Sequence, residues 1–164
     1  MEIYIEKLKK QDAEELFVFE CYNREFFEKT VPSRGEDYYV YEVFQRKHDE
    51  LLKEQEEGTS YFYLIRNLKN RIVGRINLVD IEKEQQLGYL GYRVGEEFIR
   101  KGIAVQAVKL LLGQAKKHQI NEIYAKTTKD NLASQKVLEK TGFSRVPLDQ
   151  KTDFIHYIWK QNNM

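Results

Sequence analysis

The chain has 164 residues, 41% hydrophobic and 13% aromatic, which suits one domain (1–164) with its own core and excludes a disordered segment. Charged residues reach 32% yet nearly cancel, to a formal net charge of +1, so no overall field would recruit nucleic acid and any anion site has to be local. Cys21 is the single cysteine, which rules out an internal disulfide, and the three histidines (His48, His118, His156) sit apart from any Cys/His cluster, so no metal is expected.

The opening stretch MEIYIEKLKKQDAEE lacks the apolar core and small-residue cleavage site of a secretory signal. No window approaches the roughly 20 apolar residues that cross a bilayer. A soluble, cytoplasmic protein without a membrane partner is the expectation.

In chain order, residues 3–8 (IYIEKL) alternate like a half-buried strand. Asp12 with Glu15 forms a capping-box pattern ahead of a helix over AEELFVFECYNREFF. Cys21 lies in its apolar stretch and is expected to be packed. VPSRGE (31–36) breaks the chain, and a charged helix over about 36–57 follows, with Val40, Val43, Phe44, Leu51 and Leu52 on one side and Gly58 as its stop. Residues 60–66 and 71–82 then read as a hairpin around the turn 67–70. After KEQQ comes a third strand, 87–95, whose Gly88 and Gly91 suggest bulges or a close approach of backbone or ligand.

A helix from 103 presents Ile103, Ala107, Val108, Leu110, Leu111 and Ala115 on one face, with Lys116, Lys117 and His118 near its negative end. Residues 120–128 form a strand and 130–142 a helix closed by Gly142. Residues 154–160 form the last strand. The order β-α-α-β-β-β-α-β-α-β-β indicates a mixed α/β or α+β domain rather than a doubly wound sheet.

The chemistry concentrates at the entrance to the helix from 103. A helix start offers unpaired N–H groups and a positive dipole end, a glycine admits close approach, and Arg100-Lys101-Gly102 stand there directly after a strand. Neither a G-x-x-x-x-G-K-[ST] loop nor a G-x-G-x-x-G fingerprint is present. A solvated basic loop and a phosphate cradle both fit this stretch by itself.

Two motifs favour the cradle. IRKGIA (99–104) follows the Q/R-x-x-G-x-G/A pattern at Gly102 and Ala104, with Ile99 in place of the first Gln or Arg. Gly91, Tyr92, Val94, Phe98, Lys101, Gly102 and Ala104 fall in register with G-Y-x-[IV]-x-x-x-[YF]-x-G-K-G-x-[AG], Arg100 standing where a glycine is usual. Asn131, Ser134, Val137, Leu138, Glu139, Lys140, Gly142 and Phe143 reproduce N-x-x-S-x-x-[VL]-[LA]-E-K-x-G-F. Over residues 90–143 the chain thus resembles the GNAT superfamily of acyl-CoA-dependent N-acetyltransferases, and within it the branch of the ribosomal-protein-alanine N-acetyltransferases.

The resemblance implies a GNAT-like fold, a mostly antiparallel mixed sheet flanked by helices, and acetyl-CoA as acetyl donor. The backbone at Val94 would pair with the pantetheine arm, and the amides of Arg100, Lys101, Gly102, Ile103 and Ala104 would wrap the pyrophosphate. Gly102 would then be required because a side chain would collide with phosphate. Asn131 would bind the cofactor, cap its helix, or both. The reaction implied is direct attack of a neutral amine on the thioester through a tetrahedral intermediate, with a departing thiolate. The tyrosine acid of many relatives is replaced by Leu138, which leaves Ser134 as the group that protonates or binds the thiolate. The glutamate often found on the fourth strand is Tyr89 here. Glu25 and Glu28 are the candidate bases, and Phe26, Phe27, Tyr38, Tyr39 and Tyr41 are candidates for lining the acceptor cleft. The histidines read as structural.

The acceptor is an amine, either a protein N-terminus or a small molecule such as a polyamine or an antibiotic. A CoA-binding module without turnover is the rival of another class, motivated by the departures at Tyr89, Ile99, Arg100 and Leu138. Monomer and homodimer both stay open.

Overall fold

The computed structural model describes residues 1–147 and 152–161. Strand β1 (Ile3–Lys7) leads through a 3-10 turn into helix α1 (Ala13–Tyr22), short helix α2 (Arg24–Phe27) and long helix α3 (Tyr41–Glu57). Strands β2 (Tyr61–Asn67), β3 (Ile72–Glu82) and β4 (Leu87–Val94) follow as a meander. Helix α4 (Ile103–Lys117), strand β5 (Glu122–Thr128), helix α5 (Leu132–Lys140) and strands β6 (Ser144–Val146) and β7 (Phe154–Lys160) complete the chain. The strands form one seven-stranded sheet in the order β1-β2-β3-β4-β5-β7-β6. All pairings are antiparallel except β4 with β5, so the expected mixed α/β architecture holds.

Period-2 alternation sends side chains to opposite faces of this sheet. On one face Tyr63, Ile65, Ile76 and Leu78 pack with Ile103, Ala107, Val108 and Leu111 of α4 and with Leu138 of α5. On the other, Phe62, Leu64 and Ile72 pack with Leu16 and Phe19 of α1 and Phe44 of α3. Both faces are therefore covered, and the whole sheet is a floor between two helical layers.

The single parallel pair decides where a ligand can enter. β4 meets β5 only at Leu87, Gly88 and Tyr89. Beyond Tyr89 the two strands part: Leu90–Val94 keep their β3 partners on one side and have none among the described residues on the other. β5 continues paired only with β7. The sheet is split like a V, with its mouth toward α4 and α5.

Several expectations change in detail. Asp12 caps nothing in α1; its carboxylate accepts from the Lys9 amide at 2.8 Å and meets the buried Arg66 guanidinium, which Glu15 also contacts. The predicted helix over AEELFVFECYNREFF breaks at Asn23, whose Nδ2 donates to Phe19 O at 2.9 Å. The predicted 36–57 helix begins as a 3-10 turn at Glu36–Tyr39 and becomes α-helical only from Tyr41, ending at Gly58 in the left-handed region (φ 76°) as expected. Val40 and Leu110 are exposed rather than packed, Val40 because it lies outside α3 as its N-cap. Cys21 is also exposed rather than packed, because it lies on the solvent side of α1 while Leu16, Phe19 and Glu20 face the sheet.

Of the two strand glycines, Gly88 marks a close approach: a Cβ there would come 3.0 Å from Leu78 Cδ1. At Gly91 a Cβ would meet nothing within 4 Å. That position is an opening in the floor.

Candidate active site

The 99–104 loop enters α4 through two residues with left-handed backbone, Arg100 (φ 62°) and Gly102 (φ 75°). The first helical bond there runs from the Gln106 amide to Gly102 O at 3.2 Å. Consequently the amides of Arg100 through Val105 donate to no group among the described residues. A run of free N–H groups at the positive end of a fifteen-residue helix suits a pyrophosphate. The side chains divide: Arg100 and Lys101 are exposed, Ile103 is buried in the core, and Ala104 is half-buried, so Ile103 can offer only its amide. A Cβ at Gly102 would meet no protein atom within 4 Å. Its positive φ, rather than crowding inside the protein, is what favours glycine.

Val94 ends the unpaired stretch of β4, where main-chain groups on the split side can pair with an extended, amide-containing arm. Across the mouth, Asn131 caps α5: its Oδ1 accepts from the Ser134 amide at 3.1 Å. Asn131 therefore fixes the first turn that carries Ser134. The Ser134 hydroxyl in turn lies 3.1 Å from the Tyr92 hydroxyl of β4. Burial pushes the Tyr92 phenol up, more than its bond to Ser134 pulls it down, so it stays protonated at neutral pH. Leu138, by contrast, is 1% exposed and belongs to the core, so nothing at that position can reach the mouth. Tyr89 is exposed and lies against Tyr124 of β5, ring centroids 5.7 Å apart, at the apex of the split.

The opposite face carries a charged cluster that the sequence reading did not single out. Glu20 of α1 is fully buried; its Oε1 accepts from Arg75 Nη1 at 2.5 Å, and Arg34 and Arg93 approach the carboxylate at 3.5 and 3.6 Å. The Tyr38 hydroxyl accepts from Arg34 at 2.6 Å and donates to Glu20 at 3.3 Å. Burial pushes the Glu20 carboxyl up, but the cationic field of Arg75, Arg93 and Arg34 more than offsets it and holds the group below the usual carboxylate range. Glu20 is thus an anion that pairs cations and a poor base. Of the candidate bases, Glu25 is exposed on α2, while Glu28 accepts from Arg24 at 3.2 Å and from Ser33 at 3.1 Å. Phe27 and Tyr38 are buried, whereas Phe26, Tyr39 and Tyr41 are half-buried around them. His118 stacks on Tyr61 with centroids 3.8 Å apart, a packing role as expected.

One contact ties the two sides together. Asn23, at the α1–α2 break, accepts the Glu96 amide at 2.9 Å and so holds the segment leading from β4 to the anion loop.

A split sheet with a run of free helix-start amides at its mouth is the arrangement that suits an acyl-CoA-using transferase. The comparisons with known proteins agree. A family model described as "Acetyltransferase (GNAT) domain" matches residues 2–144, and the chain belongs to that family. It is accordingly an acetyl-CoA-dependent N-acetyltransferase. The "Probable N-acetyltransferase YjcK" of Bacillus subtilis (strain 168) is 30% identical over 165 residues, spanning 99% of this chain and 91% of that protein. Among solved structures, the ribosomal-protein-S5-alanine acetyltransferase from Vibrio fischeri superposes with a TM-score of 0.89 at 20% identity, covering 98% of this chain and 93% of the other. The microcin C7 self-immunity acetyltransferase MccE, solved with acetyl-CoA and AMP, gives 0.87 at 21% identity over 98% and 93%.

Proposed function

We propose that the protein acetylates a primary amine, a protein N-terminal α-amine above all, with Ser134 as the group that receives the leaving sulfur. The single observation carrying this is the Tyr92–Ser134 pair at the mouth of the split. The free amides of Arg100 through Ala104 hold the pyrophosphate, and the open edge ending at Val94 pairs with the pantetheine arm. Asn131 orients Ser134, and its Nδ2, which has no partner among the described residues, is available to a cofactor carbonyl.

The chemistry is a displacement. The neutral amine nitrogen forms a bond to the thioester carbonyl carbon and the carbon–sulfur bond breaks. The thiolate takes a proton from Ser134 Oγ, which Tyr92 Oη replaces; the surplus ammonium proton passes to water, and water returns a proton to Tyr92. A protein α-amine, with a pKa near about 7.7–8.0, is substantially neutral at physiological pH without a strong base. A lysine, near about 10.4, is not.

The test is to incubate the protein with acetyl-CoA and N-terminal peptides, reading free CoA thiol against acetylated amine. Equal release of both is expected. Thiol release without acetylated amine would make it a thioesterase, and no release with any amine while acetyl-CoA is bound would leave a CoA-binding module in place of a transferase.

A further inference from the structure

The cluster around Glu20 holds three guanidinium groups and one carboxylate, so it carries more positive charge than it neutralises internally. Arg75, 6% exposed, is committed to Glu20 and Tyr38. Arg93 is not. It approaches Glu20 Oε2 only at 3.6 Å and makes no hydrogen bond among the described residues. Its guanidinium lies over the Phe27 ring, 4.7 Å from the centroid, which covers one face of the plane and leaves the N–H edges available. Glu20 Oε2 is correspondingly buried without a hydrogen-bond partner. Arg93 and Arg34 keep side-chain exposures of 19% and 33%, so both stay within reach of solvent beside the α2–α3 segment.

Register places these arginines on the sheet face opposite the Tyr92–Ser134 pair. Arg93 faces Arg75 across β3 and β4, and Gly91 faces Asn77 two residues along, so Arg93 and Gly91 share one sheet face. Tyr92 between them points to the other face, toward Ser134. A ligand group held by Arg93 therefore sits roughly 6–7 Å along the strand from the open position above Gly91, two strand residues at about 3.3 Å each. A guanidinium with a free planar edge is the side chain best shaped for a carboxylate fork.

We infer that Arg93 and Arg34 form a carboxylate subsite, and that the preferred acceptor is a peptide N-terminus with an acidic side chain at its second or third residue. The offset between the opening and Arg93 matches the reach from a terminal amine to such a side chain, and exceeds that to a free amino acid's own carboxylate. A cationic polyamine would meet two unmatched positive charges. This inference rests on the acetyltransferase reading above.

The experiment compares kcat/KM for hexapeptides that differ only at positions two and three, with Glu, Gln or Lys there, alongside free glutamate and spermidine. Acetyl-CoA binding is measured in parallel by calorimetry. A charge-assisted pair implies a preference of Glu over Gln on the order of tenfold to a hundredfold, with Lys poorer still. That ratio should collapse toward one in Arg34→Gln, an exposed loop substitution, and in Arg93→Gln, and should shrink in the wild type at high salt. Equal rates for Glu and Gln with acetyl-CoA bound would overturn the carboxylate subsite alone. So would preference for spermidine, or for free glutamate over the peptides. Failure to bind acetyl-CoA would overturn both this inference and the reading beneath it.

Discussion

The Tyr92 hydroxyl of β4 and the Ser134 hydroxyl of α5 lie 3.1 Å apart, and this pair spans the mouth where β4 and β5 separate. It links the unpaired edge of β4 to the helix start across it as a two-hydroxyl relay, with a phenol kept protonated by burial.

If that relay serves the departing thiolate, Ser134→Ala should lower kcat by about a hundredfold or more with little change in acetyl-CoA affinity. Tyr92→Phe should lose less, since Ser134 can still draw on water. The double substitution should cost little beyond Ser134→Ala, because the two act as one unit. Single-turnover rates on the three variants check this. Fully additive losses would argue that the residues act separately.

The pH profile of kcat/KM for an α-amine acceptor follows from two groups. It should rise through about pH 7.7–8.0 as the amine loses its proton. It should then stay level toward pH 10, since Tyr92 titrates above its usual value of 10. A descending limb between pH 8 and 10 that Tyr92→Phe abolishes would place the phenol lower than its burial implies.

Glu20 gives a stability prediction with a definite sign. Its carboxyl titrates below the usual 4.5, so its contribution is complete above that value and is lost as pH falls through the lowered folded value. Glu20→Gln leaves Arg75 buried without an anion, and about 3–5 kcal/mol of stability should disappear at pH 7. The gap from the wild type should narrow on acidification below 4.5. Urea titrations at pH 7 and at pH 3–4 would measure it; a negligible gap at pH 7 would mean Glu20 pairs too weakly to matter, and a large gap that stays constant would mean the loss does not come from its charge.

Much of this was legible because local signals and tertiary demands agree. Gly58 stops α3, the 67–70 turn makes the β2–β3 hairpin, and Gly102 and Asn131 stand at the two helix starts facing the split. The capping-box pattern at Asp12 and Glu15 misled because buried Arg66 competes for both carboxylates. Asn23 reads as an ordinary helical residue, yet its bond to the Glu96 amide forms only once the β4–α4 segment is in place. The Glu20 cluster is harder still. One of the three acids in AEELFVFECY and single arginines in two strands become a unit through the β3–β4 register, which brings Arg75 opposite Arg93 under α1.

The anion loop admits the most direct measurement of all. Titrate acetyl-CoA into the wild type and into Gly102→Glu by calorimetry, and follow both by thermal unfolding. The glutamate fits the open space, at a conformational cost of about 1–2 kcal/mol for the left-handed position, so the variant should remain folded. Its carboxylate would stand where the pyrophosphate binds. The wild type should bind and, at 100 times the dissociation constant, gain about 2.7 kcal/mol, while the folded variant gains nothing. Equal binding by both proteins would contradict a phosphate cradle at the start of α4.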